Sequence, residues 1–137
     1  RYNMNILLDT HYLLWSILGD DSLSKEASDM IMNPNNNIYY SILSLWEIEI
    51  KHLKRPMCMP IDAVMVEDSC AGAGFTLLPI LVPHVLALST LHRDENAKAH
   101  KDPFDRLLIA QAKTSDMIFL THDELLPDYN EPCICFM

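Results

Sequence analysis

The amino-acid sequence predicts a single α/β domain of three layers, α/β/α, built on a central parallel-rich sheet. Two observations carry this. Short apolar runs of strand length alternate along the chain with segments of helical spacing, the pattern of a sheet covered on both faces. A chain of 137 residues, half of them hydrophobic and only three of them glycine, has the size of one domain and can bury roughly two-thirds of its unfolded surface. The domain is expected over residues 4–137, with Met4 as a natural start and Arg1–Asn3 as a remnant ahead of it.

The elements follow in order. Asn5–Asp9 is a short buried-strand pattern that ends in an acid and runs directly into a helix over Thr10–Leu18. Ser24 is an N-cap for a helix over Lys25–Met32, with Ala27, Met30 and Ile31 on its apolar side. Pro34 and the three asparagines after it make a turn, and Ile38–Tyr40 is a short strand. Ser41 or Ser44 starts a helix that runs to Lys54, where Arg55–Pro60, with two prolines, breaks it. Pro60 is expected at the first position of a helix over Ile61–Ala71 that Gly72 and Gly74 end. Phe75–Leu78 is a strand, Val82–Leu91 a helix and Arg93–Asp102 a charged loop. Pro103 opens a strongly apolar helix to Thr114, Met117–Leu120 is a buried strand, Asp123–Leu126 a short helical turn and Cys133–Phe136 a last strand.

Composition excludes several classes. No apolar run approaches the roughly 18–20 residues of a membrane helix, and no signal-peptide core follows the first residues, so a soluble cytoplasmic protein is expected. Cys58, Cys70, Cys133 and Cys135 form no C-x-x-C pair and are expected to be reduced core thiols, with Cys133 and Cys135 on one face of a strand. A net charge of −9 argues against binding nucleic acid through a basic patch. It leaves room for an acidic nuclease in which a bound cation reverses the local sign.

Acids at strand ends are the residues that could carry chemistry, because in such sheets polar sites collect beyond the carboxyl ends of the strands. Asp9 and Asp123 each follow an apolar strand, where a carboxylate is costly unless something balances it. The plain alternative is that each caps the helix behind it. Glu47 sits between Trp46 and Ile48, and its alternative is a surface pair with Lys51, one turn on. Asp102, ahead of Pro103, suits the N-cap of the apolar helix, while Asp105 stands in its first turn, where the helix dipole favours an anion. Carboxylates without a cysteine or histidine ligand pattern select a hard cation, Mg²⁺ or Mn²⁺, and such a site suits phosphodiester hydrolysis. Histidines 11, 84, 100 and 122 read as polar surface or satisfied core groups, with His100 and His122 near enough to the acids to grip phosphate.

Four segments in this order resemble the PIN-domain family, and its VapC-type toxin ribonucleases in particular. They are Leu7-Leu8-Asp9-Thr10-His11-Tyr12-Leu13-Leu14-Trp15, Ser41-x-x-Ser44-x-Trp46-Glu47-Ile48-x-Ile50-Lys51, His100-x-Asp102-Pro103-Phe104-Asp105-Arg106-Leu107-Leu108-Ile109-Ala110-Gln111-Ala112 and Leu120-Thr121-x-Asp123. The resemblance implies a PIN-like α/β/α domain whose metal-binding acids are Asp9, Glu47, Asp105 and Asp123, with Thr10 and Thr121 as hydroxyls that orient them. Asp102 and Asp105 precede or open the same helix; Asp105 is chosen because Asp102 already has a capping role. Also implied are Mg²⁺- or Mn²⁺-dependent endonucleolytic cleavage of RNA (tRNA or another structured RNA), a homodimer, and a small antitoxin that covers the site. The chain departs from the branch at Arg55–Met59, where a glycine-containing linker is expected, and at Arg93–Lys98, a longer loop with less proline. The rival readings are a catalytically silent PIN-like scaffold that acts by binding a partner, and a phosphoacceptor domain using Asp9. The latter lacks the neighbouring acid it needs, since Thr10 and His11 follow Asp9.

Overall fold

The computed structural model describes residues 3–137, so Arg1 and Tyr2 of the expected remnant lie outside the described residues. Strands β1 (Asn5–Leu8), β2 (Asn37–Ser41), β3 (Thr76–Leu78), β4 (Ile118–Thr121) and β5 (Ile134–Phe136) form one sheet in the order β3-β2-β1-β4-β5. Every pairing is parallel, with Leu7 of β1 opposite both Tyr39 of β2 and Phe119 of β4. The helices are α1 (Thr10–Leu18), α2 (Lys25–Met32), α3 (Ile42–Lys54), α4 (Ala63–Ala73), α5 (Val82–Leu86) and α6 (Pro103–Thr114).

Side-chain alternation along the strands divides the core in two. Ile6, Leu8, Ile38, Tyr40 and Leu120 meet Tyr12 and Leu13 of α1, Ala27 and Ile31 of α2, and Val66 and Cys70 of α4. Leu7 and Phe119 face the other way, onto Leu108, Ile109 and Ala112 of α6, with Leu91, Leu126 and Tyr129. Helix α3 reaches both clusters, through Ile48 on one side and Leu43 on the other. A sheet buried on both faces explains why its strands read as continuous apolar runs. No helix of the described residues is long and apolar enough to cross a membrane.

Caps account for most of the helix starts. Ser24 accepts the Ala27 N–H, Ser41 the Leu43 N–H, and Asp102 the Phe104 N–H. Six expectations need correction. The helix expected from Pro60 begins at Ala63, because Asp62 caps it through the Met65 N–H and Glu49 of α3 accepts the Ala63 N–H at 3.0 Å. Gly72 lies inside that helix, and only Gly74, at φ +78°, occupies the left-handed position that ends it. The helix expected over Val82–Leu91 tightens after Leu86 into a 3₁₀ turn, Ala87–Thr90, and the turn expected at Asp123–Leu126 becomes a 3₁₀ segment over Leu126–Tyr129. All four cysteines are free, but Cys58 is exposed, and Cys133, which precedes β5, packs with the α6 cluster while Cys135 packs with the α1 cluster. Strand alternation does not extend back to residue 133. Burial pushes the Cys70 thiol up to about 12 and the Cys133 thiol up to about 11, which keeps both protonated.

Candidate active site

The chain builds β1, β2 and β3 outward in one direction and then crosses back to place β4 on the free side of β1. The carboxyl ends of β1 and β4 therefore flank the point where strand order reverses, the usual position of a crevice in a parallel sheet. Asp9 follows β1 and Asp123 follows β4, while α3 and α6 bring in Glu47 and Asp105. All four acids, with Asp102, line one cleft of about 280 Å³, and Thr10, His11, Trp15 and His122 complete its walls.

Asp9 is 4 % exposed, and both of its oxygens are used. Oδ1 accepts the Tyr12 N–H at 2.7 Å, capping α1. Oδ2 accepts the Thr121 hydroxyl at 2.8 Å and the His122 N–H at 3.1 Å, across the β1–β4 junction. The capping role and a role at the site thus coexist in one side chain. Burial raises the Asp9 carboxyl above its ordinary range, against the pull of those three donors.

Glu47 is held by the Thr10 hydroxyl on Oε1 at 2.8 Å and by Lys51 on Oε2 at 3.0 Å; Thr10 is in turn 2.9 Å from the Ser44 hydroxyl. The surface pair with Lys51 is present, yet the second oxygen is oriented from inside the fold. Asp123 accepts the Leu125 N–H through Oδ1.

Asp105 has the least comfortable environment. Burial first, then the negative charges of Asp102, Asp123, Asp9 and Glu47, push its carboxyl up to about 8. Among the described residues no Lys or Arg lines the cleft. The group that faces Asp105 is His100, whose Nε2 lies 3.4 Å from Asp105 Oδ2 and 3.9 Å from Asp123 Oδ2. Among the described residues, His100, Asp105 and Asp123 are the one set of three donors close enough to share a metal ion. Asp9 and Glu47 stand further round the same cleft.

Sequence reasoning read His100 as a surface or core histidine, near enough to the acids to grip phosphate, and not as a metal ligand. Its ring is almost entirely enclosed, with Nδ1 2.7 Å from the Tyr129 hydroxyl, and the Arg93 guanidinium lies 4.9 Å from the centre of the Tyr129 ring. Burial pulls the imidazole below its ordinary value, towards the neutral form. Arg93 also reaches the Leu125 and Lys98 carbonyls, so the loop expected to be merely solvated ties His100 into the site. A histidine two residues before Asp-Pro was the signal available in the sequence.

Gln111 escaped notice as anything but a motif letter. It is fully buried on α6, accepts the Ser41 hydroxyl at 2.6 Å and donates to the Pro79 carbonyl at 3.2 Å. Ser41 caps α3, so this contact fixes the helix bearing Asp105 against the start of the helix bearing Glu47. An amide inside an otherwise apolar run of α6 was its only trace in the sequence.

Oxygen donors with one imidazole, and a carboxyl forced towards protonation by its neighbours, fit a hard divalent cation, which would relieve that repulsion.

The PIN-domain description matches residues 6–132, and the chain belongs to that family, whose members are in general nucleases. No curated protein matches the sequence. Among solved structures, the chain is similar to one in VapBC2 from Rickettsia felis bound to a DNA fragment from their promoter, at 12% identity and TM-score 0.67, covering 98% of each chain. It is also similar to one in DNA-bound VapBC from Salmonella typhimurium, at 13% identity and TM-score 0.65, covering 98% of this chain and 97% of the other. Likeness at that identity speaks for the fold.

Proposed function

We propose that residues 4–137 act as one domain, a Mg²⁺- or Mn²⁺-dependent endoribonuclease, and that this protein is the toxin of a toxin–antitoxin pair. The observation that carries the reading is the convergence of Asp9, Glu47, Asp105 and Asp123 on one cleft, with the Asp105 carboxyl pushed up to about 8 by burial and its fellow acids. Those four carboxylates would supply the cation's ligands, Asp105 and Asp123 sharing their end of the cleft with His100. A bound divalent cation supplies an activated water and stabilises charge on the leaving oxygen of a phosphodiester. The chain's own residues do the positioning. Thr121 and the His122 N–H fix Asp9, Thr10 fixes Glu47, and Tyr129 holds the His100 ring towards Asp105 and Asp123.

The structural neighbours described as VapBC assemblies support an antitoxin as partner, and a homodimer, an RNA substrate such as tRNA and a cytoplasmic location complete the reading. The test is cleavage of a mixture of tRNA and single-stranded RNA by the purified protein, with Mg²⁺ or Mn²⁺, with EDTA, and with Asp9→Asn protein. Cleavage that needs the metal and disappears in the variant supports the nuclease. A folded, partner-free protein that cleaves nothing in the presence of either metal favours a silent scaffold instead.

A further inference from the structure

One wall of the cleft is aromatic, and nothing in the arrangement of the acids requires it to be. His11 and Trp15 of α1, His122 after β4 and Phe136 of β5 stand in a row, with successive ring centres 5.8, 5.3 and 6.3 Å apart. The first three line the cleft that holds the carboxylates. His11 and His122 are exposed, Phe136 is 48% exposed and Trp15 is half-buried, so these rings present surface to solvent beside the acids.

The row is held in place from beneath. Tyr12 lies edge-on to both Trp15 and His122, and its hydroxyl donates to the Met137 carbonyl at 2.9 Å. His122 Nδ1 is 2.7 Å from the same carbonyl. The Met137 N–H bonds back to the Thr121 carbonyl. The ring of His122 is therefore fixed at both ends, its backbone on Asp9 and its imidazole on Met137. Rings fixed in advance lose little conformational freedom when something settles on them.

Charge says what settles there. The protein carries −9, and among the described residues no Lys or Arg lines the cleft, Lys51 beside it being paired with Glu47 at 3.0 Å, so little basic surface is there to hold a polyanion through its phosphates. Stacking on aromatic faces is the contact open to it, since every nucleobase has a π-face and base–aromatic stacking contributes about 1–3 kcal/mol per base. A paired base inside a helix offers no free face.

Resting on the nuclease reading above, we propose that the ring row of Trp15, His122 and Phe136, with His11 at its edge, is a platform that stacks an unpaired nucleobase next to the scissile phosphate.

The test starts from the RNA that the wild type cleaves in a mixture of tRNA and random-sequence single-stranded RNA. That RNA is resynthesised with one abasic ribose at a time. Loss of one base beside the cleavage site is expected to raise KM about 5- to 150-fold, with kcat less affected. Trp15→Leu, which keeps an apolar side chain and removes the ring, should raise KM for intact RNA by a similar factor and add little on the abasic RNA. Trp15→Phe should recover most of the loss. A 2-aminopurine at the sensitive position should be quenched on binding the wild type and remain bright with Trp15→Leu of unchanged circular dichroism. Losses from the abasic site and from Trp15→Leu that multiply independently, or no sensitive position at all, overturn the platform while leaving the nuclease intact. A wild type that neither binds nor cleaves RNA overturns the nuclease reading and the platform with it.

Discussion

Replacing Asp105 by asparagine removes the one carboxyl that the fold drives furthest from its ordinary behaviour. In the metal-free protein this group rises from 3.8 to about 8, first through burial and then through Asp102, Asp123, Asp9 and Glu47. Between those two values the folded protein keeps a proton that the unfolded chain gives up, so stability falls as pH rises. It is fully present below about pH 4 and lost by about pH 8. The whole interval corresponds to about 5–6 kcal/mol. Solvent reaching the 19% of the side chain that stays accessible screens part of it, and about 2–3 kcal/mol is the expected effect. Asp105→Asn keeps the size and loses the titration. In urea unfolding with EDTA, wild type and variant should be close at pH 5, and the variant should be more stable by about 2–3 kcal/mol at pH 8.5. The comparison between the two proteins cancels His84, whose depressed value acts in the opposite sense, costing stability as pH falls through the ordinary histidine range; His100, which touches Asp105, acts in that same opposite sense and only below the pH at which the gap is read. Mg²⁺ at pH 8.5 should then stabilise the wild type more than the variant. A gap of equal size at both pH values would refute the claim that carboxylate crowding sets this site's energetics.

Other consequences follow from single contacts. Asp9→Asn should abolish metal-dependent RNA cleavage in a gel assay while leaving circular dichroism unchanged. It should not stabilise the metal-free protein, because an amide nitrogen in place of either oxygen faces a backbone N–H. Gln111→Leu leaves the buried Ser41 hydroxyl proton without its acceptor and removes the donor to the Pro79 carbonyl, and a loss of about 1–3 kcal/mol is expected in urea unfolding. A loss near zero would remove its role in joining α3 to α6. Asp102→Ala should cost about 1 kcal/mol of helix capping. Because Asp102 is the leading charge acting on Asp105, the pH at which metal-free stability declines should move down. Gly74→Ala, at φ +78° with nothing close to the added carbon, should cost about 1–2 kcal/mol by backbone strain alone, measured as a lowered Tm.

The sequence by itself determined what is local. Ser24, Ser41 and Asp102 cap helices because a short polar side chain reaches the N–H two or three residues on. Apolar runs became the strands of a sheet buried on both faces, and acids followed the ends of β1 and β4. Where two local signals competed, the sequence misled. Pro60 resembled a helix start, yet Glu49, 14 residues back in the chain, helped to set that start at Ala63. The tertiary structure decided everything that depends on separation. Thr121 meets Asp9 across 112 residues and Gln111 meets Ser41 across 70, and neither contact has any periodicity to reveal it. The depressed His100, the elevated Asp105 and the aromatic wall exist only because strand order places β4 beside β1 and β5 beyond β4. Burial and charge are sums over neighbours in space, and a linear sequence carries only the neighbours along the chain.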